Sequence, residues 1–141
     1  MSVAGGQFLL EAACSHPFFI PEDFSADELE FAATARRFME REVFPHIPAL
    51  EGQDFDRMAK LLKRAGELGL LMTGIPEEYG GLGRPARVSG LVSEATATYG
   101  GFTVTYGAHT KIGTLPLVYF GSEAQKTKWL PRIATAELIA A

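Results

Sequence analysis

Three groups of residues in this 141-residue chain could carry chemistry. The first is the glycine-rich run Tyr79-Gly80-Gly81-Leu82-Gly83, of a kind whose backbone amides can cradle phosphates. A dinucleotide fingerprint needs G-x-G-x-x-G between a strand and a helix, and a P-loop closes on Gly-Lys-Ser/Thr. Neither spacing is present, and the segment before the run reads as a helix, so the glycines are expected to serve a tight reversal at positive φ. The second group is the adjacent carboxylates Glu77 and Glu78. Acid–base catalysis needs environments that push two pKa values apart, and a loop opening at Pro76 offers no burial, so neither is given a catalytic role. The third group is His16, His46 and His109, too scattered for a ligand set and without H-E-x-x-H spacing, so no metal site is expected. Ser15 and His16 are neighbours in sequence, but a triad is a spatial arrangement. His109 differs from the other two because it lies on a nearly apolar segment, where an imidazole must find a hydrogen-bond partner. A satisfied core histidine is the expectation.

The elements around these residues read as helices. At Ser25 and Glu28 a capping box opens the first, with Phe24 and Leu29 placed to form a hydrophobic staple. Phe31, Ala32, Ala35, Phe38, Met39 and Val43 then draw an apolar stripe at helical spacing, and Pro45 and Pro48 end or kink it. Asp54 caps a second helix along Phe55, Met58, Leu61, Leu62, Ala65 and Leu68, with Gly69 as its stop. After the glycine loop, Pro85 suits a first helical turn. Val88, Leu91, Val92, Ala95 and Tyr99 make a third helix, ended by Gly100-Gly101. From Phe102 to Phe120 Lys111 is the only charged residue, which predicts a fourth helix buried on most sides and kinked by Pro116. Ser122 and Gln125 form a second capping box for a fifth helix through Leu130, with Trp129 as a packing anchor. The fold class is all-α, a bundle of about five helices with short, antiparallel connections.

Bulk properties narrow the function classes. The length suits one domain of about 100–200 residues. Thirteen basic against seventeen acidic residues give a net charge of −4, and without a basic stripe nucleic-acid binding is not expected. No apolar run approaches the roughly 18 residues of a membrane span, and the first ten residues lack the pattern of a secretory or transit signal. The lone Cys14 forms no internal disulfide and reads as a bystander thiol in a reducing compartment, so a cytoplasmic location is expected.

Three segments, Ile75-Pro-Glu-Glu-Tyr-Gly-Gly-Leu-Gly83, Gly107-Ala-His-Thr-Lys-Ile-Gly-Thr-Leu-Pro116, and Tyr119-Phe-Gly-Ser-Glu-Ala-Gln-Lys126 followed by Trp129-Leu-Pro131, carry a further signal. In this order and spacing they resemble the N-terminal helical domain of acyl-CoA dehydrogenases, and the Ala-His-Thr-Lys-Ile-Gly stretch is most similar to the branch acting on long and very long chains. The resemblance divides the chain into an N-terminal arm, 1–23, and the helical domain, 24–141. It implies an FAD-dependent enzyme of fatty acid β-oxidation that turns fatty acyl-CoA into trans-2-enoyl-CoA, passes electrons to an electron-transfer flavoprotein and works as a homo-oligomer. In that family the helical domain lines the acyl-chain tunnel. The matching face here is Thr105, Ala108 and Ile112, on one side of the fourth helix, with the small Ala108 leaving depth for a long tail. The same resemblance implies that the flavin-binding middle domain and the C-terminal bundle with its catalytic glutamate lie beyond this sequence. No catalytic or FAD-binding residue is therefore assigned to it, Glu77, Glu78, Glu94 and Glu123 included, and the piece alone is expected to be inactive. An acyl-CoA oxidase or related flavoprotein is the alternative within the family, and a stand-alone helical interaction module is the alternative outside it.

Overall fold

The computed structural model describes Ala12 and residues 19–140, and all regular structure among them is helical. Most of the arm, with Cys14, Ser15 and His16, lies outside the described residues, as does Ala141. The helices are α1 (Ala26–Phe38), α2 (Ile47–Glu51), α3 (Phe55–Glu67), α4 (Ala86–Thr96), α5 (Gly100–Gly107), α6 (Leu115–Phe120) and α7 (Glu123–Ala134). Two wide π turns extend them: Met39–Val43 continues α1, and Ala108–Gly113 joins α5 to α6. The seven helices thus form five rods, because α1 runs on into its turn, α5 and α6 share one rod, and α2 is a short connector.

Local signals account for the ends. Ser25 and Glu28 form the capping box of α1, and Ser122 and Gln125 that of α7. The Asp54 side chain accepts from the Arg57 amide at 2.9 Å to start α3. That helix closes in a Schellman motif: Gly69, at φ 76°, donates to Gly66, and Leu70 donates to Ala65. Phe24 packs edge-on against Phe19, ring centroids 4.8 Å apart, while Leu29 remains half exposed.

The main core is drawn from every rod but the last. Phe38, Met39 and Val43 meet Leu61, Leu62 and Ala65 of α3, Val92 and Ala95 of α4, and Phe102 and Tyr106 of α5. A smaller cluster holds Ile75 and Tyr79 of the glycine loop against Leu130 and Ala134 of α7.

Several elements differ from the sequence expectation. Gly100 and Gly101 open α5 instead of ending α4, which stops at Thr96. Thr103 turns its hydroxyl back onto the Thr96 carbonyl, which binds that end. The fifth helix runs past Leu130 to Ala134 with Pro131 inside it, at an exposed position. Phe55, at the first position of α3, is exposed. Trp129 is half-buried, with Lys128 and Arg132 over its ring at 4.4 and 5.9 Å, and the neighbouring Leu130 is the buried anchor. The fourth rod is not buried on most sides. Its break falls at Thr114, and Pro116 sits in the first turn of α6, where a missing N–H costs no helical bond.

Candidate functional site

The glycine loop is a fully hydrogen-bonded reversal. Gly80 donates to Glu77, Gly81 to Pro76, Leu82 to Met72, Gly83 to Ile75 and Arg84 to Thr73, at 2.8–3.1 Å. Every amide from 80 to 84 is thus engaged within the fold, and none is left to cradle a phosphate. Gly80 and Gly83 take positive φ, and a Cβ at Gly81 would stand 1.9 Å from the Ile75 carbonyl oxygen. Glu77 and Glu78 are exposed. The buried Tyr79 anchors the loop by donating its hydroxyl to Glu123 of α7 at 2.6 Å, and this hydrogen bond, with burial, pushes the phenol pKa up.

In the rod from Gly100 to Phe120, Phe102, Tyr106, His109 and Thr114 are buried, and the Tyr106 hydroxyl donates to the Leu70 carbonyl at 2.9 Å. Elsewhere along it Val104 and Ile112 are each 72% exposed, Tyr119 67% and Phe120 87%. Thr105 and Ala108 are half-buried, Thr105 within α5 and Ala108 as the first residue of the wide turn. A π turn carries more residues per turn than an α-helix, so Ile112 advances less far around the axis than three-and-four spacing supposes.

His109, 1% exposed, has both ring nitrogens engaged: Nε2 lies 3.0 Å from the Ile133 carbonyl, and the Ala140 amide donates to Nδ1 at 3.1 Å. Burial holds its pKa below the usual imidazole value.

A cavity of about 310 Å³ lies between the glycine loop, α4 and the rod, over a floor of Leu71, Ile75, Tyr106 and Leu115. Among its hydroxyls, Thr73 pairs with Ser89 at 2.8 Å and Thr110 donates to the Tyr106 carbonyl at 2.8 Å. Arg84 at its rim pairs with Asp27 at 3.1 Å. None of Thr105, Ala108 and Ile112 lines it. Among the described residues no group of histidines, cysteines and carboxylates could hold a metal ion, and no helix is long and apolar enough to cross a membrane.

Residues 25–137 match the family model of the acyl-CoA dehydrogenase N-terminal domain. The chain belongs to that family. A probable acyl-CoA dehydrogenase of Bacillus subtilis is 47% identical over 137 residues, which cover 97% of this chain and 23% of that protein. The crystal structure of an acyl-CoA dehydrogenase complexed with FAD from Bacillus anthracis superposes at a TM-score of 0.92 with 47% identity, covering 99% of this chain and 24% of that one. A chain of the structure described as the electron transferring flavoprotein of Acidaminococcus fermentans has a TM-score of 0.76 and 27% identity, covering 85% of this chain and 32% of that one. This acyl-CoA dehydrogenase domain therefore spans about a quarter of the length of the first two relatives.

Sequence reasoning missed three features of the site. The Tyr79–Glu123 bond spans 44 residues, and the buried Glu28 meets the Arg87 guanidinium at 2.6 Å across 59 residues. No spacing rule reaches that far. The wide turn at Ala108–Gly113 has no sequence signal we can name.

Proposed function

We propose that the chain forms part of the acyl pocket of an FAD-dependent enzyme that oxidises fatty acyl-CoA to trans-2-enoyl-CoA, with Thr105, Ala108 and Ile112 turned towards the acyl tail. The observation carrying this reading is the exposure of four large apolar side chains, Val104, Ile112, Tyr119 and Phe120, on a rod whose Phe102, Tyr106 and His109 are buried. Singly exposed apolar residues are ordinary, but a run of four on one rod is a surface that associates with something apolar. In a domain a quarter the length of its relatives, that surface suits both the remaining polypeptide and a fatty tail.

FAD, when bound, accepts the hydride. The described residues do not fit it by themselves, because the glycine-loop amides are engaged, so its contacts are assigned outside this chain. The base that takes the α-proton is also assigned elsewhere. Glu28 is held by Ser25 and Arg87, Glu51 by Tyr99 and Glu123 by Tyr79, while Glu77, Glu78 and Glu94 are exposed. The part left to this chain is to align the tail and exclude water from it. An electron-transfer flavoprotein as electron acceptor, a place in fatty acid β-oxidation and a homo-oligomeric assembly complete the reading.

The test is a chimera in which this chain replaces the matching quarter of the Bacillus subtilis relative. A chimera that folds, retains FAD and bleaches near 450 nm on addition of a long acyl-CoA is the expected result. A folded, FAD-loaded chimera that no acyl-CoA bleaches would overturn the reading.

A further inference from the structure

We propose that His109 is a positioning residue, whose two ring nitrogens fasten the end of α7 and the segment after it, residues 135–140, to the turn that carries Ala108 and Ile112. The relevance to an acyl tail rests on the pocket reading above; the fastening itself does not.

The geometry fixes the chemistry of the ring. A backbone amide only donates, so the nitrogen facing Ala140 must offer a lone pair, and Nδ1 carries no proton. The proton is then on Nε2, which donates to the Ile133 carbonyl. Only the neutral Nε2–H tautomer makes both bonds, which reach 24 and 31 residues along the chain. Ala140 has no other amide partner among the described hydrogen bonds, whereas the Ile133 carbonyl also accepts from Ala136. An apolar side chain of similar volume would fill the space and leave the Ala140 amide without a partner. The turn is fastened from within as well, because the Thr114 hydroxyl donates to the carbonyl of His109 itself at 2.5 Å.

Charged groups nearby are engaged elsewhere or face solvent. Arg132 of α7 pairs with Glu137 of the following segment at 2.8 Å. Lys111, on the same turn, is exposed. Asp56, Lys60 and Lys63 of α3 line a shallow hollow on the side of Thr135–Glu137. Burial is the dominant influence on the ring and holds the imidazole neutral. The sign follows: with a folded pKa below the usual value of about 6.5, the fastening is intact above that value. It is lost as the pH falls through the depressed folded pKa, when a protonated Nδ1 confronts the Ala140 amide.

Two variants separate the ring's two roles. In His109→Asn, Oδ1 stands near the place of Nδ1 and keeps an acceptor for Ala140. In His109→Gln, the side-chain amide reaches towards Ile133 and that acceptor is lost. Amide exchange by NMR on the 141-residue chain, corrected for intrinsic rates, is expected to show Ala140 less protected in H109Q than in H109N by about five-fold, the loss of one ordinary hydrogen bond. Between pH about 8 and about 5, wild-type protection of Ala140 should fall while that of H109N stays level, and imidazole nitrogen shifts should report the Nε2–H tautomer. Equal protection in the two variants, an Nδ1–H tautomer or a flat wild-type profile would each overturn the fastening; the tautomer and the profile decide it even if H109Q does not fold. In the flavin-loaded chimera, H109Q should raise KM for long acyl-CoAs and not for short ones, with H109N near wild type. Unchanged KM alongside lost Ala140 protection would overturn the positioning role. A chimera that no acyl-CoA bleaches, with Ala140 still protected, would instead remove the pocket reading and leave the fastening.

Discussion

At Gly81 the reversal tolerates no side chain. A Cβ there meets the Ile75 carbonyl oxygen at 1.9 Å and its carbon at 2.4 Å, and that same carbonyl receives the Gly83 amide. Gly81→Ala must therefore open the loop, and we expect a loss of about 3 kcal/mol or more, at or above the upper end of overpacking costs; urea denaturation measures it, and a loss under about 1 kcal/mol would mean the loop yields easily. Glu28 joins two roles in one carboxylate. It accepts from the Ser25 amide at 3.0 Å as half of the capping box, and from Arg87 at 2.6 Å. The Ser25 amide first, and then Arg87, hold its pKa below the usual value against the opposing effect of burial. A depressed carboxylate pKa gives stability that is present above the unfolded value and lost as the pH falls through the folded one. The melting temperature of wild type should exceed that of Glu28→Gln at neutral pH, and the gap should close in acid. A gap that persists at pH about 2, below the whole carboxylate range, would show that the carboxylate's charge is not what stabilises α1 against α4.

Among the helices, two glycines with the same propensity cost sit in opposite surroundings. Gly90 lies inside α4, and a Cβ there meets nothing within 4 Å. Gly66 lies inside α3, where a Cβ would stand 3.0 Å from the Thr135 backbone. Replacing a helix-interior glycine with alanine is worth roughly 0.5–1 kcal/mol where space allows. Gly90→Ala should therefore raise stability by about that amount, while Gly66→Ala should lower it by pushing α3 away from the segment after α7. Chemical denaturation of the two variants reads both signs. A gain at Gly66 would mean that this segment does not rest on α3. The helices themselves follow from nearby residues: the capping boxes at Ser25 and Ser122 and the stripe of α1 are relations across three or four positions. The second half of the fourth rod does not. Its sequence is apolar on all sides, so periodicity could not tell its core side from its exposed side.

For the molecule as a whole, the exposed apolar side chains of the fourth rod predict both association and selectivity. Sedimentation of the 141-residue chain should show dimers or larger species rising with concentration, since contiguous apolar patches of a few hundred Å² usually find partners; a monomer across a wide range would count against an adhesive rod. In the chimera, Ala108→Phe should shorten the proposed pocket. Each methylene denied entry forfeits about 0.8 kcal/mol, so kcat/KM should fall by orders of magnitude for long acyl-CoAs and little for short ones. If Ala108 only packs between helices, overpacking should instead cost about 1–3 kcal/mol of stability and reduce activity equally at both lengths, which would remove it from the pocket.

The sequence by itself determined the all-helical class, the starts of α1, α3 and α7, the stop at Gly69, the tight reversal at the glycine loop and the family. Each of these rests on residues within a few positions of one another or on short motifs in a fixed order. The tertiary structure decided which side of the fourth rod is core, where its turn widens, and that α7 runs on through Pro131. It also paired Glu28 with Arg87, Tyr79 with Glu123, and His109 with Ile133 and Ala140, across separations of 59, 44, 24 and 31 residues. Such partners are chosen by packing between rods, and the distance along the chain carries no trace of which carboxylate, carbonyl or amide will arrive beside a buried polar group.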